Sequence, residues 1–268
     1  MTESSIQASP SRRLLSGSPL EGRIAVVTGS SSGIGEATAI RLAELGAVVA
    51  LVARRADRLD AVAERIAAFG GQAIAFPTDV RDRASMLATA ERLAEQLGTV
   101  DLVFANAGIQ LISSITDLAV EDWDTQVGTN VGGVMNTIQA FIRPLRESAA
   151  NGRTADLITT SSIAAVRILD RFQVYSATKA YIAQLSRLLR TELGQEQIRV
   201  TTIEPGMVDT ELPNHVTDPD ATKLMADLIE QIDVLQSVDI AEIVAFVAAL
   251  PPHVNLTEIT VLPTKQAI

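Results

Sequence analysis

A single doubly wound α/β domain of the Rossmann type, built on a mostly parallel, seven-stranded sheet, is the fold this sequence predicts, on three observations. Short β-branched runs alternate with amphipathic stretches from Arg23 onward, the βαβ pattern of a sheet covered on both faces. Hydrophobic residues make up 47% of the 268 residues while aromatics are only 3%, so the core must come from Ala, Val, Ile and Leu. That composition suits a buried parallel sheet better than a sandwich. A glycine-rich turn joins the first strand to the first helix, where dinucleotide folds carry theirs.

Residues 1–20 are rich in Ser and Pro and are expected to form a mobile N-terminal tail, leaving 21–268 as one domain. The first half reads as strand IAVVTG, helix GIGEATAIRLAELG, strand VVALVA, helix ADRLDAVAERIAAFG, strand QAIAFPTD, helix RASMLATAERLAEQLG and strand DLVFANAG. Gly46, Gly70 and Gly98 end its three helices, as left-handed caps do. A long helix is predicted from near Val120 to near Glu147, with Pro144 expected to bend it or end it early. Strand DLITTSS, a helix from Val174 to Leu193 and strand RVTTIEPG follow. Met207 to Ile232 is irregular, with Pro213 and Pro219 ahead of a predicted helix; helix DIAEIVAFVAAL and strand EITVLP close the chain. No internal repeat or linker divides the domain.

Several functions are disfavoured at the outset. Cysteine is absent, removing disulfides, thiolate nucleophiles and Cys-ligated metals. His215 and His253 lie far apart and offer no ligand spacing, so no metal is expected. A formal charge of −10 argues against nucleic acid. No apolar run reaches the roughly 20 residues of a membrane span, and the opening residues lack the apolar region of a secretory signal. A cytoplasmic protein is expected.

The chemistry-bearing residues come in three groups. Thr28-Gly29-Ser30-Ser31-Ser32-Gly33-Ile34-Gly35 lets the backbone approach a pyrophosphate that a helix N-terminus then meets. Its spacing is G-x-x-x-G-x-G, unlike the common fingerprint. Serines there also suit a plain turn. Arg54 and Arg55 follow the second strand, where NAD enzymes carry an acid, so a 2′-phosphate and NADP(H) are expected, with Arg54 the deciding residue. Tyr175 and Lys179 stand four apart on one helix face, and an ammonium beside a phenol favours the phenolate. Ser162 ends a strand 13 residues earlier, at the crevice where open sheets bind ligands.

Taken together, TGSSSGIG, Asp79-Val80, Asn106-Ala107-Gly108, Asn130-Val131, Ser162 with Tyr175 and Lys179, and Pro205-Gly206 resemble the short-chain dehydrogenase/reductase family from about Glu21 to Pro263. The resemblance implies Tyr175 as general acid, Ser162 bonded to the carbonyl oxygen, and Lys179 on the nicotinamide ribose lowering the tyrosine pKa. It implies Asn130 at a helix irregularity, holding a water in the proton relay. For the cofactor it implies the turn residues Gly29, Ser31, Ser32, Gly33, Ile34 and Gly35. Asp79 would contact adenine, with Val80 beside it, and Asn106, Ala107 and Gly108 would line the adenosine side. Pro205, Gly206 and Val208 would border the nicotinamide, with Thr210 reaching its carboxamide or the phosphates. Departures are Ala105 before Asn106, and Ala165 and Arg167 in a loop that commonly carries glycine.

ARRADRL and EITVLPT resemble the NADP-dependent branch that reduces small aldehydes and ketones, and EPGMVDTELPNHVTD with the stretch after it resembles clavulanate-aldehyde reductases. The leading expectation is NADPH-dependent reduction of an aldehyde or ketone, a reversible hydride transfer. Alternatives are an NADP-dependent 3-hydroxy acid or amino-alcohol dehydrogenase, in which Arg167 or Arg171 would grip a carboxylate, and a cofactor-sensing protein without turnover. Substrate walls are expected at Ile109–Ser114, Ile163–Val174 and Met207–Ile232. Trp123 reads as a packing anchor and His215 as a bland residue over the site. Val131, Val134, Met135, Ile138 and Phe141, with Ala180, Ile182, Ala183, Leu185 and Leu188, present more apolar faces than one sheet can cover, and the family arrangement implies a homotetramer.

Overall fold

Alternation along each strand decides which face of the sheet a side chain enters. In the computed structural model, which describes residues 15–212 and 232–266, Ala25 and Val27 enter one core and Val26 the other. Strand β1 (Ile24–Thr28) pairs in parallel with β2 (Val48–Ala53) and β4 (Leu102–Ala105). β3 (Gln72–Pro77) flanks β2, and β5 (Ala155–Thr160), β6 (Ile198–Pro205) and β9 (Glu258–Val261) extend beyond β4, giving the order β3-β2-β1-β4-β5-β6-β9. All seven strands are parallel. A two-residue pair, β7 (Val208–Asp209) with β8 (Leu235–Gln236), lies outside this sheet.

Helices α1 (Gly33–Glu44), α2 (Ala56–Ala67) and α7 (Ser237–Ala248) supply one core through Leu42, Leu59, Ile66, Ile240 and Val244. On the other face, α3 (Arg83–Leu97), α5 (Gly133–Ala150) and α6 (Gln173–Leu193) contribute Met86, Leu93, Phe141, Leu145 and Leu193. The strand order reverses between β1 and β4, and the crevice outside the carboxyl ends there is where such sheets bind ligands.

Three boundaries differ from expectation. Leu20 is buried, and Arg41 donates to the Leu15 carbonyl at 2.7 Å, so the packed body includes Leu15 and Leu20, ahead of Glu21. Residues 1–14 lie outside the described residues, as do the helix expected after Pro219 and His215. The predicted long helix is α4 (Val120–Gln126), a π-helical segment Val127–Gly132 and then α5. Pro144 does not end α5, which runs on to Ala150. A proline removes one amide, whereas Ala140, Phe141 and Leu145 bury a full helix face beside it, and packing outweighs the missing bond. Gly46, Gly70 and Gly98 all have positive φ, as expected of helix-ending glycines.

Candidate active site

Because every strand of the main sheet points the same way, the loops after β1, β2, β4, β5 and β6 converge on one cavity of about 1060 Å³. That is the upper end of the roughly 300–1,000 Å³ of small-molecule sites, room for a long ligand and a second molecule. Its floor is the glycine turn. A Cβ on Gly35 would lie 2.2 Å from the Gly29 carbonyl oxygen, and one on Gly29, at φ +70°, would lie 2.9 Å from the Ala107 Cα. Only hydrogen fits at either place, so strand and helix close up as a pyrophosphate turn requires. The N-cap of α1, Ser32, makes no side-chain capping bond, and Gly33 and Ile34 line the cavity. The first amides of α1 therefore lack a side-chain cap at a positive helix end, as an anion site demands.

At the far end of this floor, Arg54 and Arg55 leave β2. Arg55 folds back onto the turn, donating to Ser31 Oγ at 3.0 Å and Ser32 Oγ at 2.9 Å. Ser31 and Ser32 thus face the cavity, whereas Ser30 is buried below it. Asp79 lines the cavity with its carboxylate paired to Arg81 at 2.7 Å, and Arg81, with Arg54 as a weaker contributor, holds that carboxyl below its ordinary range. Val80 packs under Gly133. Asn106 ties strand ends together, donating to the Thr28 carbonyl at 3.2 Å and accepting from Thr160 Oγ1 at 3.1 Å. These donors, cations and the glycine cradle fit a nicotinamide dinucleotide.

The other end holds the titratable cluster. Tyr175 and Lys179 are one helical turn apart on α6 and both are buried, at 5% exposure. The Ser162 side chain faces the Tyr175 phenol closely enough to pull its pKa down, and Ser162 Oγ accepts from the Ala164 amide at 3.1 Å, which fixes its direction. Lys179 Nζ lies 5.7 Å from the Tyr175 ring centre and donates to the Thr160 carbonyl at 3.0 Å. Burial pushes the tyrosine up to about 12, with Ser162 pulling the other way, and burial pushes Lys179 down to about 8. The expected lowering of the phenol pKa by Lys179 is therefore not found in the chain alone: desolvation outweighs an ammonium engaged by a backbone carbonyl. Burial thus favours the neutral phenol at Tyr175.

Asn130 sits inside the π-helical segment, at the predicted helix irregularity. Its Oδ1 accepts from the Ile109 amide at 2.8 Å, and its Nδ2 donates to the Ile109 carbonyl at 2.9 Å and to Thr178 Oγ1 at 3.1 Å. The wider turn thereby fastens the loop after β4 to α6. Gly108 lies between: a Cβ there would stand 3.2 Å from Asn130 Oδ1 and 3.4 Å from Lys179 Nζ. Ala107 and Gly108 line the same wall, and Pro205, Gly206, Val208 and Thr210 form the wall opposite.

On the substrate side the cavity is bordered by Ile109, Ile163, Leu169, Phe172 and Met207 among others, in the three stretches expected. Arg167 and Arg171 are not among its described lining residues. Trp123 is half-buried outside the cavity. Two participants were not anticipated. Gln266 Oε1 accepts from the Met207 amide at 2.9 Å and occupies the space a Gly206 side chain would need. Glu211 pairs with Arg55 at 3.1 Å. The first was open to topological inference, since a chain leaving a strand parallel to β6 emerges beside Pro205; the second had no local signal.

The pattern of the family described as short chain dehydrogenase matches residues 23–221. An oxidoreductase of Listeria innocua, described as uncharacterized, is 38% identical over 92% of this chain and 98% of its own length. Among solved structures, an alcohol dehydrogenase from Thermococcus sibiricus complexed with 5-hydroxy-NADP superposes with a TM-score of 0.80 at 29% identity, covering 91% of this chain and 97% of that one. A 3-ketoacyl-(acyl-carrier-protein) reductase from Brucella melitensis complexed with NADH does so with a TM-score of 0.82 at 29% identity, covering 92% and 99%.

Proposed function

This chain belongs to the short chain dehydrogenase family, and from that membership we propose that it reduces an aldehyde or ketone to the alcohol with NADPH, as a cytoplasmic enzyme. The carrying observation is one cavity with Ser162, Tyr175 and Lys179 at one end and Arg54, Arg55 and the α1 N-terminus at the other. The reduced nicotinamide, when bound, supplies a hydride. Ser162 holds the carbonyl oxygen beside the phenol, and Tyr175 donates its proton as that oxygen gains charge. Lys179, anchored on Thr160, stabilises the phenolate left behind. The apolar wall around Ile163 and Phe172 keeps water from the exchange. Burial that favours the neutral phenol suits proton donation, the reducing direction. The sequence resemblance to clavulanate-aldehyde reductases favours an aldehyde, and Arg167 and Arg171, on which the hydroxy-acid reading rested, are not among the described lining residues of the cavity.

A panel of aldehydes and ketones assayed by NADPH consumption tests this, and distinguishes it from a cofactor sensor, which would consume none. With any substrate found, kcat/KM is expected to be level at lower pH and to fall about tenfold per unit as pH rises through about 8, where Lys179 loses its proton. The fall should vanish in Lys179→Arg, whose side chain stays charged. A flat profile through that range in the native protein would remove Lys179 from the proton step.

NADPH in place of NADH rests on Arg54 and Arg55, both of which line the adenosine end. A guanidinium pairs with a 2′-phosphate through charge-assisted bonds worth about 1.5–3 kcal/mol. Arg54→Ala is accordingly expected to weaken NADPH binding by roughly 10- to 100-fold and to leave NADH unchanged, read by titrating both. Unchanged NADPH affinity would take Arg54 out of this role.

The proposal includes a homotetramer. Val134, Phe141, Ile182 and Ala183 turn out to serve the chain's own core, while Met135 and Leu188 remain exposed at 39% and 61%, one on each helix expected to meet a neighbour. Light scattering should give four copies; a stable monomer at micromolar concentration would overturn it.

A further inference from the structure

Arg55 is the N-cap residue of α2, yet its side chain turns back to the glycine turn 24 residues earlier. Two of its nitrogens are spent on the Ser31 and Ser32 hydroxyls. The third, Nη1, donates to Glu211 Oε2 at 3.1 Å, while Glu211 Oε1 stands 3.9 Å from Arg58 Nη1. One carboxylate, carried in from the wall after β7, thus bridges two guanidinium groups at the end of β2. That is the place where a dinucleotide fold presents its side chains to the adenosine ribose. Ser31, Ser32, Arg55 and Glu211 all line the same cavity.

We infer that Glu211 is an internal rival of the cofactor's 2′-phosphate for Arg55, and so sets how strongly the protein prefers NADPH to NADH. This rests on the cofactor reading above. A phosphate monoester near neutral pH carries close to two charges on three acceptor oxygens, against one charge on two for a carboxylate, and the guanidinium fork fits either. Seating both anions on one fork sets like charges together, so the phosphate must displace Glu211. NADH brings no such anion and leaves the pair intact. The Arg55 hydrogen bond, with help from Ser32, holds the Glu211 carboxyl below its ordinary range, so the rival is charged wherever the cofactors are titrated. Both partners are about two-fifths exposed, and such pairs are weak, which makes Glu211 a moderate brake on binding.

Calorimetric titration of NADPH and NADH into native protein, Glu211→Gln, Arg55→Ala and the double variant tests this, with thermal melting to show that each is folded. Native protein is expected to bind NADPH more tightly than NADH. Glu211→Gln should tighten NADPH a further two- to five-fold, roughly the worth of an exposed pair, leave NADH unchanged, and give no gain when Arg55 is already alanine. NADPH affinity unchanged or weakened in Glu211→Gln, or NADH tightened equally, overturns the inference while the cofactor reading stands. Native protein that binds both cofactors equally overturns the cofactor reading, and the inference with it.

Discussion

Tyr175→Phe is expected to lower turnover by roughly 10²–10⁴-fold, the usual worth of a positioned general acid, with cofactor binding retained. The substitution removes one oxygen and little else. The ring is buried and meets Phe172 edge-on, with ring centres 6.2 Å apart at 72°, and a phenylalanine ring keeps that contact. What goes is the only phenol among the described residues of the cavity wall, the one that Ser162 acts on. Ser162 can still hold a carbonyl oxygen, but the phenol that gave it a proton is gone. Lys179 is committed to the Thr160 carbonyl and cannot stand in without leaving it. Steady-state kcat with NADPH and a substrate from the panel, alongside a cofactor titration, reads both halves. Near wild-type turnover in the variant would sink the assignment of Tyr175.

What the sequence made legible was whatever repeats along the chain. The switch from strand to helix periodicity located β1 to β6 and their helices, because each strand needs β-branched residues on both faces and each helix a single apolar stripe. The glycine turn could be read because Gly29 and Gly35 touch each other within one short segment. Tyr175 and Lys179 could be read because they share one helical turn. Contacts between distant segments left no such mark. Arg55 was read as a secondary neighbour of Arg54, since nothing near it announces a carboxylate 156 residues later. The wider turns around Asn130 show no period of their own. Their cause is tertiary, the clamp from Asn130 to Ile109 and Thr178. The packing of Leu15 and Leu20 was missed for a similar reason: a short polar segment with two leucines looks like a tail until Arg41 and the Leu45 carbonyl are there to receive it.

A second contact of that hidden kind lies at the opposite end of the sheet, where a large loss of stability is expected on substitution. Parallel strands gather their amino ends as surely as their carboxyl ends. Arg23, Asp101, Asp156 and Arg199 each stand at the start of one, where a charge in the sequence reads as a solvated strand end. They are instead a buried network. Arg199 grips Asp156 with two nitrogens, at 2.7 and 2.8 Å, and Arg23 reaches Asp156 at 2.8 Å and Asp101 at 2.6 Å. Both arginines also donate to the Ala248 carbonyl at 3.2 Å, placing positive charge at the C-terminus of α7, where the helix dipole favours it. Asp156 is fully buried and Arg199 is 5% exposed. Asp156→Asn keeps the shape but removes the charge that two guanidinium groups face. Breaking a buried pair on one side costs about 3–5 kcal/mol, because the partner's charge is left uncompensated. In a chain of this size that corresponds to a fall in Tm of roughly 6–20 °C. Denaturant unfolding of native protein and variant should show it, while kcat and NADPH affinity of the folded variant stay unchanged, since the network lies a full strand length from Ser162 and Tyr175. A loss below about 1 kcal/mol would mean that solvent reaches these charges and that the network carries little of the stability of this end of the sheet.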